Sequence, residues 1–418
     1  MYKTYFKQAI EILKLNRFVS IITIIGTALA IMMIMVIVVT DSIKNISIAP
    51  EINRNRTMYI KHFTKYGKEK KDRMWSGNLP YDVYKNYLSE VKSPEYTAVI
   101  DNTWSGDQYM VKENNNNQRF LAKTKLTNAD FWKVLSFSFV EGRPFSQEEF
   151  NSGIRNAVIT ESMATKIFGN TNPIGKNIEI DFKEYKVIGI IKDVSQAFTY
   201  AYGEIYIPYT SKSGYESRQV LILFLMKDKA DFDLLREEFR AAERKFNAVD
   251  NEWDLSLRGP YDHKQMQLAR YSNEDPEDGK ATRKMVFIIL ILLLIPAVNL
   301  SSFSMSRIKR RTEEIGIRKA FGAKKYVILI QVIYENLITS FIGGIIGLIL
   351  SYLVVIWLKQ WLLDIGTDSS IPIGALVSAP VFLGVFAACF LLNLLSAGLP
   401  AYRASTMKIV DSLNQKNV

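Results

Sequence analysis

Cysteine and histidine are nearly absent: one cysteine, Cys389, and two histidines, His62 and His263, in 418 residues. No disulfide can form within the chain, and no cysteine-based metal site exists. The histidines stand in no ligand spacing, so each reads as a surface or packing residue. A nucleotide loop is also missing. The nearest approach is Gly169-Asn170-Thr171-Asn172-Pro173-Ile174-Gly175-Lys176-Asn177. Five residues part its glycines where four are needed, Pro173 lacks an amide donor, and Asn177 stands where a magnesium-binding hydroxyl belongs. The chain is therefore expected to bind no nucleotide cofactor and not to hydrolyse ATP by itself. The net charge of +11 does not point to nucleic acid either. Residues 41–284 hold 37 basic and 35 acidic side chains, so the excess lies elsewhere.

It lies beside long apolar runs. Lys3, Lys7, Lys14 and Arg17 precede the run 19–40, and Arg403, Lys408 and Lys416 follow the run 372–399. Between the runs 285–305 and 326–357 lies SRIKRRTEEIGIRKAFGAKK, residues 306–325, with eight basic residues and the two acids Glu313 and Glu314. Lys and Arg gather on the cytosolic side of membrane spans, and about 20 apolar residues cross a bilayer. The chain therefore reads as a multi-pass membrane protein with four transmembrane α-helices. Its parts are an N-terminal arm 1–18, a cytosolic loop 306–325, a short outer loop 358–371 and a cytosolic tail 400–418. A large extracytoplasmic domain, 41–284, lies between helices 1 and 2, and both termini are cytosolic. Ser47-Ile48-Ala49 loosely matches a signal-cleavage site, but the first run is too long and the site too displaced for a signal peptide.

The outer segment mixes short β-rich and helical runs. Strands are expected at Met58–Ile60, Tyr96–Asp101, Tyr109–Lys112, Phe120–Thr127, Ala157–Thr160, Tyr185–Val194, Arg218–Met226 and Trp253–Leu257. Helices are expected at Tyr81–Val91, Asn128–Leu135, Glu161–Phe168 and Phe232–Phe246, with a turn at Asn114–Asn117. In the last helix Phe232, Leu235, Phe239, Ala242 and Phe246 share one face, which should pack on a sheet. The pattern predicts an α+β domain in two lobes. In the spans, Gly26 with Ala30, and Gly343 with Gly347, have the small-xxx-small spacing of close helix packing. Glu335 is the one ionisable residue in the third run. That run exceeds what a bilayer needs, so Glu335 can reach the interface and pair with loop cations; the rival reading is a functional intramembrane carboxylate.

The 306–325 loop has two readings from composition: a polybasic segment that orients the protein on anionic lipid, or a short amphipathic helix ending at Gly322 that a cytosolic partner grips. Glu313 and Glu314 come early in that helix and Arg318 and Lys319 late, as its dipole favours. Glu314-Ile315-Gly316-Ile317-Arg318-Lys319-Ala320-Phe321-Gly322-Ala323 closely resembles the signature of the MacB/FtsX family of ABC-transporter permeases. Phe139-Val140-Glu141-Gly142-Arg143-Pro144-Phe145, and Asn172-Pro173-Ile174-Gly175-Lys176 with Tyr185-Lys186-Val187-Ile188-Gly189-Ile190, resemble elements of that family's periplasmic core domain. Gly398-Leu399-Pro400-Ala401-Tyr402-Arg403-Ala404 resembles its terminal motif, though Lys408 stands near the position of a usual proline.

The resemblance implies that 306–325 is the coupling helix that docks on a separate cytosolic ABC ATPase subunit, which holds the ATP-Mg. Glu313, Glu314, Ile315, Gly316, Arg318, Lys319, Phe321 and Gly322 then form the coupling site. Ile315 or Phe321 would fill a groove as the anchor, and Gly316 would let the partner's surface come close. It also implies a homodimer, or a pair with a closely related permease, contact with membrane lipid, and a periplasmic adaptor or outer-membrane partner. Nucleic acid is not a partner. The function implied is a MacB-type permease subunit that passes ATP-driven movement to its outer domain for export. An FtsX-like regulator of a cell-wall hydrolase and an ATPase-independent membrane receptor are the alternatives.

Overall fold

The computed structural model describes residues 11, 17–45, 47–69, 72–103, 108–113, 118–269, 271–310, 312–358 and 379–406. The turn expected at Asn114–Asn117, the outer loop 358–371 beyond Leu358, and most of the N-terminal arm and tail lie outside these residues. The chain divides into two compact units. One comprises residues 1–43, 282–362 and 372–418; the other comprises 44–281 and 363–371.

The second unit is built on strands β1 (Thr57–Ile60), β2 (His62–Gly67), β3 (Met74–Asn78), β4 (Tyr96–Asp101), β5 (Gln108–Glu113), β6 (Phe120–Thr127) and β7 (Phe139–Gly142). It continues with β8 (Asn156–Thr160), β9 (Asn177–Ile180), β10 (Lys183–Ile191), β11 (Ile205–Pro208), β12 (Val220–Leu225) and β13 (Trp253–Arg258). Strands β6, β11, β8, β10, β9 and β5 pair in that order, and β5 pairs back with β6. Ring closure leaves these six strands no free edge. The sheet then extends from β6 through β4 and β12 to β1. A separate sheet has the order β13-β2-β3.

Two lobes were expected; the unit contains two separate sheets, and two buried apolar clusters cover the two faces of the larger one. Along β12, Val220, Ile222 and Phe224 join one cluster while Leu221, Leu223 and Leu225 join the other. On β8, Ala157 and Ile159 face one way and Val158 the other. This is the period-two alternation of a strand buried on both faces. The helix Phe232–Val249 buries Phe232, Leu235, Phe239, Ala242 and Phe246, and packs on β13.

The helix expected over Asn128–Leu135 shrinks to Phe131–Val134. Asn128 is taken by the sheet: its amide donates to the Thr97 carbonyl at 2.7 Å and its oxygen accepts from the Val99 amide at 3.0 Å. The helix read at Tyr81–Val91 is α-helical only at Tyr81–Val83 and turns to π geometry at Tyr84–Leu88. Strands β2, β3, β7, β9 and β11 were not foreseen.

The glycines of the resemblance motifs have structural work. Gly142, at φ +76°, pairs with Gly189 in the β7–β10 ladder. A Cβ on Gly142 would lie 2.2 Å from the Ile188 carbonyl oxygen, and one on Gly189 2.6 Å from that of Arg143. Only hydrogen side chains let these backbones meet. Where the chain enters the domain, a fully buried ion pair fastens it, with Arg54 Nε 2.7 Å from Glu51 Oε2. The other Glu51 oxygen accepts from the Tyr200 and Ala201 amides, and the Arg54 guanidinium lies over the Phe198 ring. Such a pair is stable only with its remaining hydrogen bonds made, as they are here.

Gly189→Ala is expected to destabilise this unit by about 1–3 kcal/mol, as overpacking does, read as a fall in the thermal midpoint of the full chain. Burial, helped by the neighbouring Lys61 charge, pushes the His62 imidazole down from 6.5 to about 4. The unfolded chain therefore binds a proton below pH 6.5 that the folded chain refuses until pH 4, so stability falls across that window on acidification. His62→Gln should flatten the pH dependence of the melting temperature between those values; an unchanged slope would contradict it.

Candidate functional site

The first unit contains α1 (Arg17–Asn45), α4 (Asp278–Arg310), α5 (Thr312–Ala320), α6 (Lys325–Trp357) and α7 (Ala379–Thr406), where α4 begins in the other unit and α2 and α3 denote Glu161–Phe168 and Phe232–Val249 there. Among the described residues, Ser20–Ser42 and Lys325–Trp357 are long and apolar enough to cross a membrane.

Helix α5 forms where the amphipathic helix was expected, and its end has a clear cause. The Gly322 amide donates to the Lys319 carbonyl and the Ala323 amide to the Arg318 carbonyl, with Gly322 at φ +88°. This is a Schellman stop, which needs a left-handed residue after the helix. At the other end, the buried Thr312 hydroxyl donates to the carbonyls of Ile308 and Lys309 at the close of α4.

The helix has an inner and an outer face. Ile315 is 7% exposed and packs with Ile308 of α4, Ile328 and Val332 of α6, and Ala401 of α7. Thr312 and Gly316 are buried beside it. On the outer face Glu313 is exposed, Ile317 is 49% exposed and Phe321 is 89% exposed. Lys319 is half-buried; burial and the Lys325 charge lower its ammonium's affinity for a proton. Arg318 donates to Glu314 Oε1 at 2.5 Å and to Gln331 Oε1 of α6 at 3.0 Å.

Two readings of the candidate site change. Ile315 cannot be the anchor for a partner, because its side chain is spent on the chain's own apolar cluster. Gly316 is likewise buried, so its surface is not open to a partner. The large apolar side chains exposed on the outer face are Phe321 and Ile317. Ile317 was missed as a site residue, although the signal was present: 315 and 317 lie about 200° apart on a helix, so both cannot face inward. Glu314 and Arg318 pair with each other as well as standing near the surface, while Glu313, Phe321 and Gly322 are exposed.

Below this helix, α6 packs closely on its neighbours. A Cβ on Gly343 would lie 2.9 Å from the Thr27 Cβ, and one on Gly347 2.6 Å from the Ala28 carbonyl oxygen, both on α1. One on Gly344 would lie 2.6 Å from the Phe386 ring of α7. The α1 face that meets the glycines is Ile24, Thr27, Ala28 and Ile31. Of the α1 pair singled out by spacing, Ala30 is buried and Gly26 is half-buried. Glu335 is 4% exposed. Its Oε1 accepts from Gln331 Nε2 at 3.5 Å, so it reaches the loop cation Arg318 through Gln331. Among the described residues no group of three or more His, Cys, Asp or Glu is placed to hold a metal ion.

The family model for a MacB-like periplasmic core domain matches residues 20–242, and that for an FtsX-like permease C-terminal region matches residues 286–409. The chain is similar to an uncharacterized ABC transporter permease, YknZ, of Bacillus subtilis, at 25% identity over 68% of each chain. It is 26% identical to the pyoverdine export ATP-binding/permease protein PvdT of Pseudomonas entomophila over 74% of this chain and 45% of that one. It is 25% identical to the macrolide export ATP-binding/permease protein MacB of Neisseria gonorrhoeae over 68% of this chain and 42% of that one. It thus spans less than half the length of these two ATP-binding/permease relatives. Among solved structures it matches the periplasmic region of MacB from Actinobacillus actinomycetemcomitans at 18% identity, with TM-score 0.35, over 50% of this chain and 91% of that one.

Gly347→Leu should lose most of the folded, monodisperse protein, because neither backbone can give way. Gly384→Ala, which meets nothing within 4 Å, should behave as wild type. Size-exclusion profiles and melting temperatures of the two variants provide the check; equal behaviour would refute the packing account.

Proposed function

The chain belongs to the family of FtsX-like ABC-transporter permeases with a MacB-like periplasmic core domain, and from that membership we propose that it is the permease subunit through which a separate cytosolic ABC ATPase moves the outer domain. The observation that carries this is the division of α5 into two faces. The inner face is locked to α4, α6 and α7 by Ile315, so a load on the helix passes to three long helices. The outer face presents Phe321 and Ile317 with the charged Glu313 beside them. An aromatic anchor ringed by charge is how protein partners concentrate binding energy, and α5 is too short and too charged to be a span. Four membrane spans, a cytosolic α5 and an extracytoplasmic 41–284 complete the proposal, with the Lys and Arg distribution as support. Two permease copies and one ATP-Mg-loaded ATPase pair would form the working assembly. Export is the reading the relatives' names favour.

Phe321→Asp is expected to weaken co-purification of the ABC ATPase about ten-fold or more, the size of a hot-spot loss. Expression and ectodomain fold should not change. Undiminished ATPase recovery would overturn the docking surface. The topology has its own check. In a Cys389→Ser background, an impermeant thiol reagent on spheroplasts should label Phe182→Cys and spare Phe321→Cys; the opposite pattern would invert it.

A further inference from the structure

Helix α5 is joined to α6 by a line of polar side chains running from the surface into the helix bundle. Arg318 Nη2 donates to Glu314 Oε1 at 2.5 Å, and its Nη1 donates to Gln331 Oε1 at 3.0 Å. Gln331 Nε2 then donates to Glu335 Oε1 at 3.5 Å, the long end of a hydrogen bond. Burial deepens along the line. The Glu314 and Arg318 side chains are 42% and 40% exposed, while Gln331 and Glu335 are almost fully covered.

A carboxamide suits the middle position. It accepts from a guanidinium with its oxygen and donates to a carboxylate with its nitrogen, which neither a carboxylate nor an ammonium can do. Asparagine is one carbon shorter and cannot span both partners. The link also has a mechanical setting. Between α5 and α6 the chain passes through Gly322 in the left-handed region. The apolar contacts of Ile315 with Ile328 and Val332 resist separation but not sliding, because apolar attraction has no direction. Hydrogen bonds from Arg318 through Gln331 are directional and fix the register.

We propose that Gln331 is a positioning residue that holds α5 in one orientation on α6, so that force applied at Phe321 moves α6 instead of bending the chain at Gly322. Its use in coupling rests on the docking function proposed above; its role in orienting α5 does not.

The test uses full-length protein in detergent and three variants. Gln331→Leu removes the acceptor for Arg318 while keeping similar bulk. Gln331→Asn keeps the amide but shortens it. The swap Gln331→Glu with Glu335→Gln keeps composition and remakes the line, with Glu accepting from Arg318 and from the new glutamine. Amide hydrogen exchange across 312–323 is expected to quicken about ten-fold in Gln331→Leu, less in Gln331→Asn, and to stay at the wild-type rate in the swap, with the ectodomain unchanged. Unchanged exchange in both single variants, or a swap as fast as Gln331→Leu, overturns the proposal.

Coupling is read on ABC ATPase co-purified with each variant. Gln331→Leu should retain the ATPase and lose the permease's effect on ATP hydrolysis, where Phe321→Asp loses the ATPase itself. Full coupling despite faster exchange also overturns the positioning role. If wild type retains no ABC ATPase, the docking function falls, and the exchange result still decides whether Gln331 orients α5.

Discussion

Ile315 is held beneath side chains from α4, α6 and α7, and the working surface of the first unit depends on that contact. Once Ile315 is turned inward, helical geometry settles the rest. Thr312 and Gly316 share its face, and Ile317 and Phe321 are carried to the opposite one. The Schellman stop at Gly322 ends the helix just after Phe321. A nine-residue helix has little stability of its own in water. Its order comes from being fastened at one end by Thr312, along its length by Ile315 and Arg318, and at the other by the glycine turn.

Helix α6 is where these constraints meet. Its 33 residues would reach about 50 Å, enough to pass from α5 well beyond one bilayer thickness. Gly343 and Gly347 draw α1 against one side, and Gly344 admits the Phe386 ring of α7 on another. Near α5 its buried positions mix the apolar Ile328 and Val332 with the polar Gln331, Glu335, Asn336, Thr339 and Ser340. Further on they become glycine. Directional hydrogen bonds therefore fix α6 at its first turns, and close backbone contact fixes it in the middle.

The parts most legible in the sequence were those with one dominant local signal. The apolar runs, the Gly322 stop and the single-faced pattern Phe232–Phe246 needed no distant partner to be recognised. Strands β4 and β6 were placed to the residue because their flanks alternate clearly. What escaped depended on contacts between distant residues. Strands β2 and β3, with His62, Lys65 and Gly77, look polar alone and make sense only when paired with β13. Nor could the sequence show that the larger sheet carries a core on each face, since the wholly apolar run of β12 has no period. At the candidate site, the signature singled out a segment but not which way it faced. Ile315 and Phe321 looked equally suitable as anchors until α4, α6 and α7 were in place. Gln331 was hidden as one polar residue in an apolar run, although its spacing to Glu335 and Thr339 marks a polar stripe.

The central claim is that Phe321, and not Ile315, meets an ABC ATPase. Photo-crosslinking in cells from an unnatural amino acid tests it most directly, with the probe at position 321 in one strain and 315 in another. The account predicts an adduct containing an ABC ATPase subunit from position 321 and only internal crosslinks from position 315. An ATPase adduct from 315, or its absence from 321 in correctly expressed protein, would contradict it.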